Sequence, residues 1–172
     1  MQKFMKFSGM SSGDLDTTQL SLSCLRLIES AFDDIDLIYD MHTHLGGSEE
    51  NVTGCCVHPN LNSLSHPFFY AQQVMFKSSA GITKKVGCDD EYVEKLVSRT
   101  EGISNVCVNK NGKLPTYKHL LLAMTRWHDA DGTERPDLTS MYVPNEYMLS
   151  VVNKYPDMFV PCVSIHPYQK MH

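Results

Sequence analysis

Three short apolar runs, each closed off by polar or turn residues, constrain this chain more than any other feature. They are Asp36 to His42, His119 to Met124, and Met158 to Ile165. Each has the length of a buried strand rather than of a helix. The segments that precede them carry helical spacing instead. Leu20, Leu22, Leu25, Leu27, Ile28 and Phe32 recur mostly every two to four residues after an Asp16 or Thr17 cap. Asp89 is placed to cap Glu91 to Thr100, with Tyr92, Val93, Leu96 and Val97 on one face. Pro144 suits the first turn of a helix running to about Tyr155, with Tyr147, Met148, Val151 and Val152 as its stripe and Pro156 as its stop. Helices alternating with strands predict parallel crossovers, and so an α/β sheet covered on both faces.

The chain has 172 residues, enough for one domain. Residues 1–15 are polar and rich in Met, Ser and Gly, and are expected to form a flexible tail; 16–172 are expected to form the folded portion. From Gly46 to about Gly87 no period holds, and the stretch reads as a long loop, which in a compact domain points to function. Asp129 to Pro136 is turn chemistry centred on Asp131-Gly132.

Charge and composition exclude several classes. A formal charge of -5, with no run of like charges, argues against a nucleic-acid surface. No apolar stretch approaches the ~20 residues of a membrane span. The segment Met1 to Met10 lacks the continuous apolar core of a secretion signal, so a cytoplasmic location is expected, and the Asn51-Val52-Thr53 glycosylation triplet carries no weight. The six cysteines, at 24, 55, 56, 88, 107 and 162, follow no repeated spacing and are expected to be free thiols.

The chemistry gathers at the end of the first run, in Tyr39-Asp40-Met41-His42-Thr43-His44-Leu45-Gly46-Gly47. Strand alternation sends His42 and His44 to one side, roughly 7 Å apart along the strand, from where two imidazoles can converge on one divalent ion. Thr43 points away. Asp40, two residues earlier, is expected on the histidines' side and deeper, as an acceptor that orients them. Gly46 and Gly47 are expected to let the backbone turn clear of the mouth. A chain with eight histidines yields such a pair by chance often enough that two merely polar strand-end histidines remain the alternative, so the buried strand and glycine loop carry the case.

These residues resemble the first-strand signature of the amidohydrolase superfamily, in which a strand ending His-x-His gives two ligands to a catalytic metal inside a (β/α)8 barrel. Tyr142-Val143-Pro144-Asn145-Glu146-Tyr147, Tyr155-Pro156-Asp157 and Val160 to Tyr168 are similar to a helix and strand of its amidohydrolase-related branch of hydrolases and decarboxylases. The resemblance spans roughly Leu37 to Tyr168. It implies a partial TIM-type barrel of about three parallel strands, with zinc or another divalent ion on His42 and His44. It further implies water activated for attack on a carbonyl-type carbon of a small-molecule substrate. A full barrel needs about 250 residues and eight strands, and the family's later-strand ligands and aspartate have no counterpart here. The chain is therefore expected to be the amino-terminal part of such an enzyme, with its catalytic residues unassigned. A non-catalytic remnant acting through protein association and a decarboxylase are the alternatives. Open barrel edges would favour self-association.

Three further groups do not complete a site, and only the first two share the strand-end location. His166 ends the third run and Trp127-His128 follow the second; each reads either as a substrate contact or as a polar stop. Cys55-Cys56-x-His58 offers thiols and an imidazole, but adjacent cysteines chelate one tetrahedral ion poorly, and loop thiols are the favoured reading over a metal site or a Cys/His nucleophile.

Overall fold

A computed structural model describes residues 20–106, 111–113 and 115–170; the tail expected at 1–15, Cys107 and the Asp16 or Thr17 cap lie outside them. The first helix, α1 (Leu22–Phe32), is capped by Ser21, whose Oγ accepts the Cys24 N–H at 3.3 Å. The strands follow as β1 (Leu37–His44), the short β2 (Cys56–Val57), β3 (Thr116–Leu122), the short β4 (Met141–Tyr142) and β5 (Phe159–Cys162). The helices after α1 are α2 (Glu50–Thr53), α3 (Pro67–Ala80), α4 (Cys88–Val106) and α5 (Asn145–Lys154). β1, β3 and β5 form a parallel sheet in that order, which is the arrangement the three apolar runs predict. β2 pairs antiparallel with β4, so the chain leaving β1 is tied to the chain leaving β3.

Side chains of β3, β5, α4 and α5, with Leu45 just after β1, build the core, which includes Val93, Leu121, Met148, Val151 and Phe159. The expectation that both faces would be covered is not met. His119 and Leu121, on one face of β3, are buried, whereas Leu37 and Tyr39, on the opposite face of β1, are nearly half exposed and Met41 more than half. No helix of the described residues is long and apolar enough to cross a membrane.

The stretch from Gly46 to Gly87 is not a loop: it holds α2, β2, a 3-10 turn (Pro59–Asn62) and the fourteen-residue α3. α3 escapes a periodicity search because apolar residues ring it. Phe68 and Met75 lie mostly exposed, and Gln73 and Ala80 are its only buried residues. Its ends follow local chemistry: Pro67 occupies the first turn and Gly81 closes it at φ 77°, with the Gly81 N–H bonded to the carbonyl of Ser78 at 3.1 Å. α4 begins a turn earlier than expected, and Asp89 sits inside its first turn rather than capping it. α5 and the Asp129 to Thr133 turn are where the sequence puts them, the turn closing through the Asp129 N–H to Thr133 carbonyl bond at 2.9 Å.

Candidate functional site

β1 carries both histidines inside the strand, and its ladder to β3 contains a bulge. Asp40 pairs with His119 but Thr43 pairs with Leu121, so three steps on β1 match two on β3. The extra residue shifts the alternation. Asp40 and Thr43, an odd number of residues apart, therefore both meet His119, while His42 and His44 meet each other. The two histidine rings make an edge contact with centroids 4.7 Å apart, and their Nε2 atoms are 3.0 Å apart. As it stands the contact is a hydrogen bond in which one ring donates to the other; an ion at the roughly 2.0–2.1 Å zinc–imidazole distance from both would replace that proton. Burial, then repulsion from His42, lowers the pKa of His44, which favours the neutral, ligating form. The Tyr92 hydroxyl donates to the His44 carbonyl at 2.8 Å, fixing the strand end.

Asp40 is not beneath the histidine rings, as plain alternation implied. Its Oδ1 accepts the His42 backbone N–H at 3.0 Å, and its Oδ2 lies 3.5 Å from His119 Nδ1. The His42 amide, more than any other contact, holds the Asp40 carboxyl below the usual range. It thus orients the first histidine through the backbone of the bulge.

His119, 5% exposed, links sheet and helix. The Thr100 hydroxyl donates to the Leu96 carbonyl at 2.8 Å, so it accepts from His119 Nε2 at 2.7 Å. In the neutral ring Nδ1 then accepts from the Thr43 hydroxyl at 2.8 Å. Burial pushes the His119 pKa down, against the pull of Asp40. An unfolded histidine titrates near 6.5, so below that pH the unfolded chain binds the extra proton first. This contribution to stability is complete above about pH 6.5 and is lost as pH falls through the lower folded value. Urea unfolding should show a stability loss between neutral and mildly acidic pH that is smaller in His119→Gln. An identical pH dependence in the variant would remove His119 as a cause.

The loop after β1 is locked to α4 by two carboxylates that exchange caps. Asp89, 1% exposed, accepts from the N–H groups of Ser48 (2.7 Å) and Glu49 (3.1 Å) and from the Thr53 hydroxyl (2.6 Å). Glu49 accepts from the N–H groups of Gly87 (2.7 Å) and Asp89 (3.1 Å), which lower its pKa. With Cys88 these two form the one group of three or more metal-ligating side chains that converges among the described residues. Their oxygens already serve two helix starts, and burial raises the Cys88 pKa away from the ligating thiolate, so they read as a structural clamp. Sequence reasoning missed this clamp, whose halves lie about forty residues apart.

Gly46 and Gly47 do not take positive φ. Gly47 is required for space instead, since a Cβ there would lie 2.5 Å from Cys55 Cβ and 2.7 Å from Asp89 Oδ2.

The secondary candidates separate into two sets. Trp127, His128 and His166 do come together beyond β3 and β5: the His166 ring lies 5.1 Å from His128 and 5.7 Å from Trp127, centroid to centroid. His128 is buried, with its Nδ1 donating to the Arg126 carbonyl at 2.9 Å, and His166 Nδ1 accepts the Tyr168 N–H at 3.2 Å. Cys55, Cys56 and His58 do not form a site. Burial pushes the Cys55 thiol up to about 12 and raises that of Cys56, while His58 Nδ1 accepts the Asn60 N–H at the start of the 3-10 turn. The five described cysteines are free thiols.

Comparison with protein-family models, with curated proteins and with solved structures finds no match to this chain.

Proposed function

We propose that this chain is the amino-terminal part of a metal-dependent hydrolase of amidohydrolase type, and that His42 and His44 hold its divalent ion. The observation that carries the reading is the approach of the two Nε2 atoms to 3.0 Å at the carboxyl end of a parallel strand, where α/β proteins place their ligands. The parallel order β1, β3, β5, with one open apolar face, suits the first third of a TIM-type barrel whose interior that face would line. When bound, zinc would supply Lewis-acid polarisation of a carbonyl group and acidify a water. The chain's own contribution is to hold two imidazoles in place, one through Asp40 and its backbone amide, the other through Tyr92 and its carbonyl.

A non-catalytic remnant is the second reading, favoured by the ligand count: among the described residues no third His, Cys, Asp or Glu converges on the pair. A decarboxylase would use the same two histidines. Both hydrolase and remnant predict self-association through the exposed face and the free edges of β1 and β5.

Two imidazoles make half of a tetrahedral site, so zinc should bind weakly. Calorimetric titration should give micromolar or weaker affinity that disappears when His42→Ala and His44→Ala are combined. Unchanged affinity in the double variant would end the assignment.

A further inference from the structure

The cavity with the clearest ligand chemistry lies away from the histidine pair's own rings, between the 3-10 turn, α3 and the segment leading into β4. It encloses about 520 Å³, within the range of small-molecule sites. Its walls are largely apolar, with the rings of Phe69 and Phe76, Met124 and Leu138 among them. Phe69, Phe76 and Leu138 keep roughly two-fifths to half of their surface exposed, so these apolar groups are presented rather than packed away.

Gln73 stands out within this lining. It is 6% exposed, it is one of the two buried residues of α3, and its amide has no hydrogen-bond partner among the described residues. Among the described residues the one sealed side-chain polar atom without a partner is the Tyr147 hydroxyl, so the Gln73 amide is not shut inside the core but reaches the open cavity that it lines. The other polar groups are directional as well. His58 Nδ1 accepts the Asn60 N–H, which leaves the ring proton on Nε2 as a donor. Asp137 is already engaged by the Arg135 guanidinium through contacts of 2.9 and 2.7 Å. No Lys or Arg lines this cavity, so it offers nothing to balance a phosphate or a free carboxylate.

We propose that this cavity binds a small, uncharged, planar molecule carrying a carboxamide or lactam edge, with the Gln73 amide pairing to that edge and the rings of Phe69 and Phe76 receiving its flat face. An amide presents one donor edge and one acceptor edge, and its best complement is another C=O set beside an N–H. Gln73 and Phe76 also line a small adjoining space bounded by Gly46, Gly47 and Ser48, the residues that follow the histidine strand. The ligand would therefore lie against the loop that leaves β1. The assignment does not depend on the metal reading.

Ligand-observed and protein-observed NMR on the full, metal-free chain can test it with benzamide, 2-pyridone, benzoate and toluene as probes. Benzamide or 2-pyridone should bind at least tenfold more tightly than benzoate or toluene, with intermolecular NOEs to the rings of Phe69 and Phe76. Gln73→Leu should weaken the amide probes at least tenfold and leave toluene unchanged. If that variant does not fold, the NOEs in the parent chain decide alone. No amide-probe binding at millimolar concentration, NOEs placed elsewhere, equal affinity for toluene, or amide affinity unchanged in Gln73→Leu would each overturn the proposal.

Discussion

Replacing Asp89 with alanine should destabilise the chain by about 3 kcal/mol or more, because three donors lose a charged acceptor in a place that water reaches poorly. The carboxylate is 1% exposed and takes bonds of 2.6 to 3.1 Å from Thr53, Ser48 and Glu49. Its loss also frees the start of α2 and the loop that leaves β1. Asp89→Asn retains one oxygen of the pair and should cost less than half as much. Because Glu49 returns the favour at the start of α4, Glu49→Gln combined with Asp89→Asn should cost less than the sum of the two single changes. Urea midpoints for the parent chain and the four variants provide the comparison. A loss below about 1 kcal/mol for Asp89→Ala would mean that the exchanged caps do not hold these segments together.

Gly47→Ala should be nearly as damaging, at about 2–3 kcal/mol, the range for forcing a methyl group into a filled interior. The new carbon would meet Cys55 at 2.5 to 2.6 Å and Asp89 Oδ2 at 2.7 Å, and Cys55 is fully buried with nowhere to retreat. Gly46→Ala is the matched control. Its added carbon would have its nearest contacts at 3.4 to 3.5 Å, on the rings of Tyr92 and Phe76, so it should change the melting temperature little. Equal losses at the two positions would show that backbone freedom, not space, explains the pair.

The strands were legible because each is an apolar run too short for a helix, and α5 because Pro144 and a four-residue stripe mark it. What could not be read depends on partners distant in sequence. The bulge between Asp40 and Thr43 is a property of the ladder with β3, and it alone moves Asp40 from the histidines to His119. His119 looked like one more strand residue; only the fold brings Thr43 and Thr100 to its two nitrogens. The clamp of Glu49 and Asp89 is invisible for the same reason, since Asp89's local context suggests a cap for its own helix and Glu49 lies in a stretch that reads as loop. α3 was missed on different grounds. Its exposed apolar side chains erase the amphipathic period, although Pro67 and Gly81 marked its two ends. Gln73 carries no sequence signal beyond being polar in an apolar stretch.

If, as proposed, His42 and His44 of β1 chelate one ion, their two rings must respond to it as a pair. Long-range proton–nitrogen NMR spectra of the imidazole side chains, recorded during zinc titration of the full chain, report this. The Nε2 resonances of His42 and His44 should move together to metal-bound positions at equal zinc. His119, whose nitrogens are taken by Thr43 and Thr100, should stay unperturbed. Perturbation at Cys88 and the Glu49–Asp89 clamp, with His42 and His44 unchanged, would contradict the chelation.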